Sequence, residues 1–223
     1  MSVNSKMTAI ADAIRDKTGN TDLLGLDDMA ENVPKVYDAG VQSEYDRFWD
    51  NYQQNGNRRN YWGAFSLWFW TDEVFNPKYP LNVSDNGTYM FYSNSVITHI
   101  PEITFTASQL AYVCQGASRL EIIDKITLKN DGTQQIYSPF EGCSALREIR
   151  WGGVIGDNLS FKDSPLLSAE SLASTVEHLS TTSSGKTLTV SQTAVNNADW
   201  STTDYADWAA LIATKTNWTF SLV

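Results

Sequence analysis

The sequence is poor in cysteine and in basic residues, and each shortage excludes a class of protein. Two cysteines among 223 residues are too few for the disulfide framework of a small secreted domain. The 16 Lys and Arg residues stand against 26 Asp and Glu residues, which gives a formal net charge of −10. Because a phosphate backbone repels a chain this acidic, we predict that it binds no nucleic acid.

Long hydrophobic runs are missing as well. No stretch of about 18 apolar residues occurs, so we expect no membrane insertion. Residues 1–6 lack the apolar core of a secretion signal, and no Pro-, Gly- or Ser-rich linker divides the chain. We therefore expect one continuous domain with an N-terminal helical appendage. We also expect it to be synthesised in the cytoplasm, without a signal peptide.

Sequence motifs of catalysis and metal binding are also missing. Neither His99 nor His178 has a cysteine, histidine or carboxylate at metal-ligand spacing, so both are expected to be structural. The glycine-rich segment 152–156 lacks the Lys-Ser/Thr of a phosphate loop, and no Gly-x-Ser-x-Gly elbow occurs. Cys114 and Cys143 are expected to be buried as small hydrophobic side chains, with a single bridge or a metal pair as the alternative. We predict no enzyme, no cofactor and no metal.

What the chain does contain is one short pattern that occurs three times, at 91–100, 114–123 and 140–149. In each copy a central aliphatic residue follows an apolar residue by six positions and precedes an isoleucine by three. The central residues are Ile97, Leu120 and Leu146, at spacings of 23 and 26 residues. Repeats of this length are typical of a solenoid, in which each coil buries its apolar face against its neighbours.

Pairs of alternating apolar residues recur in phase with the pattern and predict one strand per coil. The pairs are Leu81/Val83, Ile103/Phe105, Ile126/Leu128 and Gly152/Val154. Their steps of 22, 23 and 26 residues would stack the strands as a parallel β-sheet. The predicted fold class is α/β, a leucine-rich-repeat-type solenoid with N-terminal helices and a helix–strand C-terminal cap.

Helical periodicity is strongest at 36–54, where four apolar residues recur at spacings of 4, 3 and 4. This stripe consists of Val41, Tyr45, Phe48 and Tyr52. It favours packing on the first coil of the solenoid. A dimeric or trimeric seam, through which the N-terminal segment would assemble copies of the chain, is the alternative.

The C-terminal part alternates helix and strand signals. A helix is predicted over 168–179 with Ser168 as its N-cap, and a second helix over 205–213. Strands are predicted at 187–190 and 218–222, about one helix–strand unit apart. The predicted organisation is therefore an N-terminal helical segment, an aromatic-rich lead-in, a solenoid and C-terminal helix–strand repeats, at 1–54, 55–88, 89–165 and 166–223.

Aromatic residues crowd the segment 61–70, where Trp62, Trp68 and Trp70 lie. They are the candidate ligand or partner surface, because exposed tryptophans could stack on a glycan. They could equally form the hydrophobic cap of the open solenoid end, because terminal repeats must be covered. The cap is the favoured interpretation.

The repeat resembles the BspA-like leucine-rich repeats, whose consensus is Phe-x-x-Cys-x-x-Leu-x-x-Ile. All four points are matched in the third copy, by Phe140, Cys143, Leu146 and Ile149. The second copy departs from the consensus, with Cys114 and Ala117 where Phe and Cys are usual. The first copy has Asn94 where Cys is usual.

The flanks are similar to tail and minor structural proteins of phages and prophages of Gram-positive gut bacteria. The similar segments are 10–19 with 26–29, 44–58, 167–172, 186–189 and 213–219. The resemblance implies a non-enzymatic virion component of the tail tip, baseplate or fibre, located in the virion after synthesis in the host. Its expected partners are other phage structural proteins and a host cell-surface glycan or protein, with a homotrimer as one candidate assembly. A carbohydrate-binding module and a bacterial cell-surface leucine-rich-repeat adhesin are the alternatives.

Overall fold

The computed structural model describes residues 81–84 and 87–223, together with the isolated positions 12, 13, 16 and 77. The chain divides into two compact units, Met1–Asn55 and Gly56–Val223. In the first unit, the three described positions are helical. All elements named below belong to the second unit.

The described part of the second unit contains ten short strands. They are β1 (Leu81–Val83), β2 (His99–Ile100), β3 (Ile103–Phe105), β4 (Gln109–Ala111), β5 (Ile122–Thr127), β6 (Gln135–Tyr137), β7 (Glu148–Gly152), β8 (Leu159–Phe161), β9 (Lys186–Val190) and β10 (Trp218–Leu222). The helices are α1 (Ala169–Glu177), α2 (Gln192–Asn197) and α3 (Trp208–Ile212), with a 3₁₀ turn at Trp200–Thr202.

Every strand pair among the described residues is parallel, and the strands wind into a solenoid of about four turns. The main sheet contains β1, β3 and β5, and β5 also pairs with β2 and β7. A second sheet contains β4 and β6, and a third has the order β8, β9, β10. The predicted parallel β-sheet solenoid of mixed α/β class is therefore confirmed.

The rows of repeated aliphatic residues form the core, as predicted. Ile97, Leu120 and Leu146 are fully buried, and the isoleucines that follow each of them by three positions are buried too. In the main sheet Ile123 pairs with Ile100 on one side and with Ile149 on the other. Each coil therefore adds one aliphatic step to a continuous apolar column.

The predicted strand register is confirmed for the first coils and wrong by one residue in the last. Leu81 pairs with Ile103, and Ile103 pairs with Ile126. Ile126 then pairs with Trp151 instead of Gly152, because an irregularity between Ile123 and Ile126 gives β5 one residue more than β7. The shift turns the Trp151 ring into the core, where it meets Phe140 edge to face at 6.0 Å between ring centroids.

A left-handed residue makes the tight turn of each coil. It stands four positions before the central aliphatic residue: Ser93 (φ 52°), Gly116 (φ 77°) and Gly142 (φ 76°). The amides of Ser93 and Gly116 each donate to a carbonyl of the next coil, of Gln115 and Glu141, both at 2.7 Å. Glycine is favoured here because a Cβ is strained at positive φ.

Helix α1 replaces the next strand of the main sheet. Ser168 is its N-cap and accepts a hydrogen bond from the Ser171 amide, as predicted. The hydroxyls of Ser171 and Ser174 then accept the amides of Ile149 and Trp151, at 2.9 and 3.1 Å. The helix thereby satisfies backbone donors that an edge strand would otherwise expose.

The C-terminal elements differ in part from the prediction. The strand spacing is confirmed, since Leu188 of β9 pairs with Phe220 of β10. The second predicted helix is shorter, because Asp207 caps α3 through the Ala210 amide and so delays its start. The helix α2 was not predicted: only Ala194 of its six residues is buried, so it has no apolar periodicity.

Candidate binding surface

The two sets of residues proposed from the sequence lie outside the described residues. They are the tryptophans Trp62, Trp68 and Trp70 and the apolar stripe Val41, Tyr45, Phe48 and Tyr52. Their roles as ligand surface, cap or assembly seam stay predictions. The surface described next was not predicted.

A second left-handed position recurs in the coils, eight residues before each central aliphatic residue. It is occupied by Tyr89 (φ 60°), Tyr112 (φ 52°) and Ser138 (φ 40°). The amide of Tyr89 donates to the Ala111 carbonyl, and that of Tyr112 to the Tyr137 carbonyl at 2.8 Å. A non-glycine residue costs about 1–2 kcal/mol in this conformation. Two bulky tyrosines therefore stand where glycine would relieve backbone strain.

Three tyrosine rings contact one another, and Tyr137 of the next coil joins them only through its backbone, since its carbonyl accepts the Tyr112 amide. The rings of Tyr89 and Tyr112 stack at 5.1 Å between centroids with an 11° interplanar angle. Tyr92 meets Tyr89 edge to face, also at 5.1 Å. Tyr92 and Tyr137 are 41% and 42% exposed, among the most exposed of the large hydrophobic side chains described. We call Tyr89, Tyr92, Tyr112 and Tyr137 the tyrosine surface.

Two glutamines extend this surface along the second sheet. Gln109 of β4 pairs with Gln135 of β6, and Ala111 pairs with Tyr137. Residues two apart on a strand share a face, so Gln135 lies on the same side of β6 as Tyr137. Both glutamines are exposed, and the Gln109 Nε2 donates to the Gln135 Oε1 at 3.2 Å. The combined surface presents phenol rings and amides, all uncharged.

The outer face of the main sheet has a different character, because its charges pair with each other. Lys125 contacts Glu102 at 3.2 Å and Arg147 contacts Glu121 at 3.3 Å, each pair joining neighbouring coils. His99 Nε2 lies 2.8 Å from Asp124 Oδ1. His178 is the C-cap of α1, with its Nδ1 2.7 Å from the Ser174 carbonyl. Both histidines thus have partners within the chain.

A cleft of about 270 Å³ lies between the start of α1 and the 3₁₀ turn, and Glu170 and Asp199 line it. The Thr202 hydroxyl lowers the pKa of Glu170, and the Ser201 hydroxyl and amide lower the pKa of Asp199. A general acid needs the opposite shift. Glu170 therefore bonds across the cleft to the 3₁₀ turn, whereas Asp199 bonds to Ser201 within the turn itself. Within the described part of the chain, no group of His, Cys, Asp and Glu could hold a metal ion.

The two cysteines are free and buried, as predicted. The Cys143 thiol donates to the Cys114 carbonyl at 3.0 Å. Burial raises the pKa of Cys143 to about 12, and burial followed by the neighbouring Cys143 raises the pKa of Cys114. Both thiols therefore stay protonated and unreactive near neutral pH.

The tyrosine surface had a signal in the sequence. Tyr89 and Tyr112 stand at the same offset from Ile97 and Leu120, so the repeat alignment places them in one column.

Among the helices that the structure describes, none is long and apolar enough to cross a bilayer. Comparisons with protein-family models, with curated proteins and with solved structures found no match to this chain.

Proposed function

We propose that this chain is a non-enzymatic structural protein of a phage tail, at the tip, the baseplate or a fibre, and that its tyrosine surface contacts a partner. The observation that carries the binding role is a pair of exposed rings. Tyr92 contacts the strained stack of Tyr89 and Tyr112, and Tyr137 is bonded to Tyr112 through its backbone carbonyl. Sparsely populated backbone conformations cluster at functional sites, where the surrounding structure maintains them.

The architecture supports a binding role. Stacked parallel strands give a rigid surface on which side chains keep fixed spacings from coil to coil. Tyrosine has few rotatable bonds, so a tyrosine contact loses little conformational entropy on binding. The virion assignment is supported by the resemblance of the flanking segments to phage tail proteins, and the leucine-rich-repeat assignment by the match at 140–149.

One alternative has an observation in its favour. An uncharged surface of phenols and amides suits a carbohydrate-binding module that is not part of any virion. A bacterial surface adhesin with leucine-rich repeats remains the weaker alternative. In the virion proposal, other tail proteins or further copies of the chain, for example in a homotrimer, would contact residues 1–54.

The virion assignment can be tested on particles from the strain that carries the gene. Prophage induction, density-gradient purification and mass spectrometry are expected to detect peptides of this chain at a fixed ratio to the tail proteins. An abundant host cytoplasmic protein, depleted by the same purification, is the control. Particles that lack the chain would reject the virion assignment.

A further inference from the structure

We propose that the tyrosine surface, together with Gln109 and Gln135, binds a neutral oligosaccharide. This inference rests on the proposed function only in that the surface contacts a partner. It names the chemical class of that partner, a chain of uncharged sugar rings, and the side chains that would recognise it. Tyr92 and Tyr137 would pack against the rings, while the two amides would bond to hydroxyls.

The chemistry of a sugar ring matches the two kinds of side chain present. A pyranose has an apolar face of C–H groups and a rim of hydroxyls. An aromatic ring packs against the apolar face, and its phenol oxygen can bond to the rim. Tyr92 and Tyr137 are each more than two-fifths exposed, so they have ring surface left for such a contact.

The glutamine pair can serve the hydroxyl rim. An amide carries two donor hydrogens and an oxygen with two lone pairs. The bond between Gln109 Nε2 and Gln135 Oε1 uses one donor of the first and one lone pair of the second. The remaining donors and acceptors lie at an exposed position, two residues along β6 from Tyr137. Sugar hydroxyls, which both donate and accept, fit this mixed set.

Charge selects a neutral glycan over an anionic one. All six side chains of the site are uncharged, and the chain as a whole carries −10. A polymer of uronic acids, sulfates or phosphates would be repelled by the overall negative field. The ammonium group of Lys162 lies 3.7 Å from the Glu141 carboxylate and is partly neutralised by it.

Preorganisation supports the same conclusion. The Tyr89–Tyr112 stack and its edge contact with Tyr92 keep that ring in place before any ligand arrives. The parallel pairing of β4 with β6 likewise positions Gln109, Gln135 and Tyr137. Binding then requires little ordering of side chains, which is one of the costs of association.

The test is binding of the full chain to an array of neutral oligosaccharides and their sulfated or uronic-acid counterparts, followed by titration calorimetry on the best neutral ligand. Tyr92→Ala and Tyr137→Ala are each expected to weaken binding about three- to tenfold. Gln109→Ala and Gln135→Ala are expected to weaken it by a similar factor. Leu166→Ala and Gln192→Ala, matched truncations at exposed positions elsewhere, should leave affinity unchanged. Circular dichroism confirms that each variant is folded.

The outcomes separate this inference from the virion assignment. Wild-type chain that binds no neutral glycan, or glycan binding that survives all four substitutions in folded variants, overturns the inference. If particles contain the chain and the tyrosine variants reduce host adsorption without any glycan binding, the partner is a protein and only the inference fails. Glycan binding by a chain that is missing from particles supports the inference and rejects the virion assignment.

Discussion

At the residue scale, the left-handed position eight residues before each central aliphatic residue allows backbone strain to be compared with side-chain contact. Ser138 is exposed at φ 40°, whereas Tyr112, at φ 52°, stacks on Tyr89. Ser138→Gly removes strain of about 1–2 kcal/mol but raises the entropy of the unfolded chain. We expect a net stabilisation of about 0–1 kcal/mol in urea unfolding. Tyr112→Gly loses the stack as well and should destabilise. If Tyr112→Gly stabilises the chain as much as Ser138→Gly, the ring contact contributes nothing to folding.

Leu120 is the second test at this scale, because it lies fully buried at the centre of the middle coil. Leu120→Ala removes buried methyl groups and leaves a cavity, so it should lower the free energy of unfolding by about 2–5 kcal/mol. Leu166→Ala is the control, since Leu166 is 56% exposed and should change stability by less than about 0.5 kcal/mol. Equal effects in the two variants would contradict the solenoid core.

The cysteines predict how stability depends on alkaline pH. Burial raises the pKa of Cys143 from 9.0 to about 12. A raised pKa in the folded state means that the folded chain retains the proton that the unfolded chain releases. This retained proton stabilises the folded chain by on the order of 4 kcal/mol. The stabilisation is fully present below pH 9 and is lost as the pH rises towards 12.

Urea unfolding of the wild type and of Cys143→Ala between pH 8 and 12 checks this dependence. The wild type is expected to lose stability more steeply than the variant over the range from about 9 to 12. Tyrosine and lysine titration affects both chains alike, so only the difference between the two slopes is informative. Parallel slopes would show that the Cys143 thiol ionises as freely in the folded chain as in the unfolded one.

At the element scale, helix α1 terminates the main sheet through its serine hydroxyls. The amide of Trp151 donates to the buried Ser174 hydroxyl at 3.1 Å. Ser174→Ala leaves that amide buried without an acceptor and should cost about 1–3 kcal/mol. Ser144→Ala, which removes an exposed hydroxyl with a 3.4 Å contact, should cost far less. Thermal unfolding measures the stability of both variants. A similar loss of stability in the two would mean that the hydroxyls of the helix do not stabilise the edge of the sheet.

The elements also show which signals a sequence carries. The register of β1 with β3, and of Ile100 with Ile123 and Ile149, was predictable because a strand with one buried face alternates with period two. Strands β4 and β6 were not, since three residues are too few to show an alternation, and their pairing is set by the coils around them. The one-residue shift at Trp151 was hidden, because the sequence Trp-Gly-Gly-Val alternates equally well in two registers.

The tyrosine surface was missed for a related reason. Left-handed backbone is rare for a bulky residue, so propensity predicts glycine, asparagine or aspartate there. Tyr89 and Tyr112 adopt it because the repeat imposes the same turn on every coil. The dense aromatic segment at 61–70 has the stronger compositional signal, although composition alone does not distinguish a cap from a binding surface.

At the scale of the whole molecule, the described coils separate two kinds of surface. The main sheet carries ion pairs that neutralise each other between coils, such as Lys125 with Glu102. The second sheet carries the uncharged side chains of Gln109, Gln135 and Tyr137, and Tyr112 follows β4 directly. Exposed ion pairs contribute little to stability, whereas exposed aromatic side chains suit the partner contact proposed above.

Assembly is the remaining property at this scale. It can be tested by substitutions in the predicted stripe Val41, Tyr45, Phe48 and Tyr52. The double substitution Val41→Asp and Phe48→Asp places two charges on the apolar face of the predicted helix. If that face joins copies of the chain, the mass measured by light scattering should fall to that of the monomer while the circular dichroism of the solenoid is retained.

The same experiment distinguishes the alternative, in which the stripe packs within one chain. Burying two carboxylates in an intramolecular core would be strongly destabilising, so the double variant should then melt at lower temperature or fail to fold, whatever its mass. The substitutions Ser43→Asp and Gln54→Asp, off the stripe on the predicted helix, control for the same change of charge. An oligomer whose mass and melting temperature survive the stripe substitutions unchanged would exclude both roles, because a carboxylate cannot replace Val41 or Phe48 in either kind of apolar contact without a measurable cost.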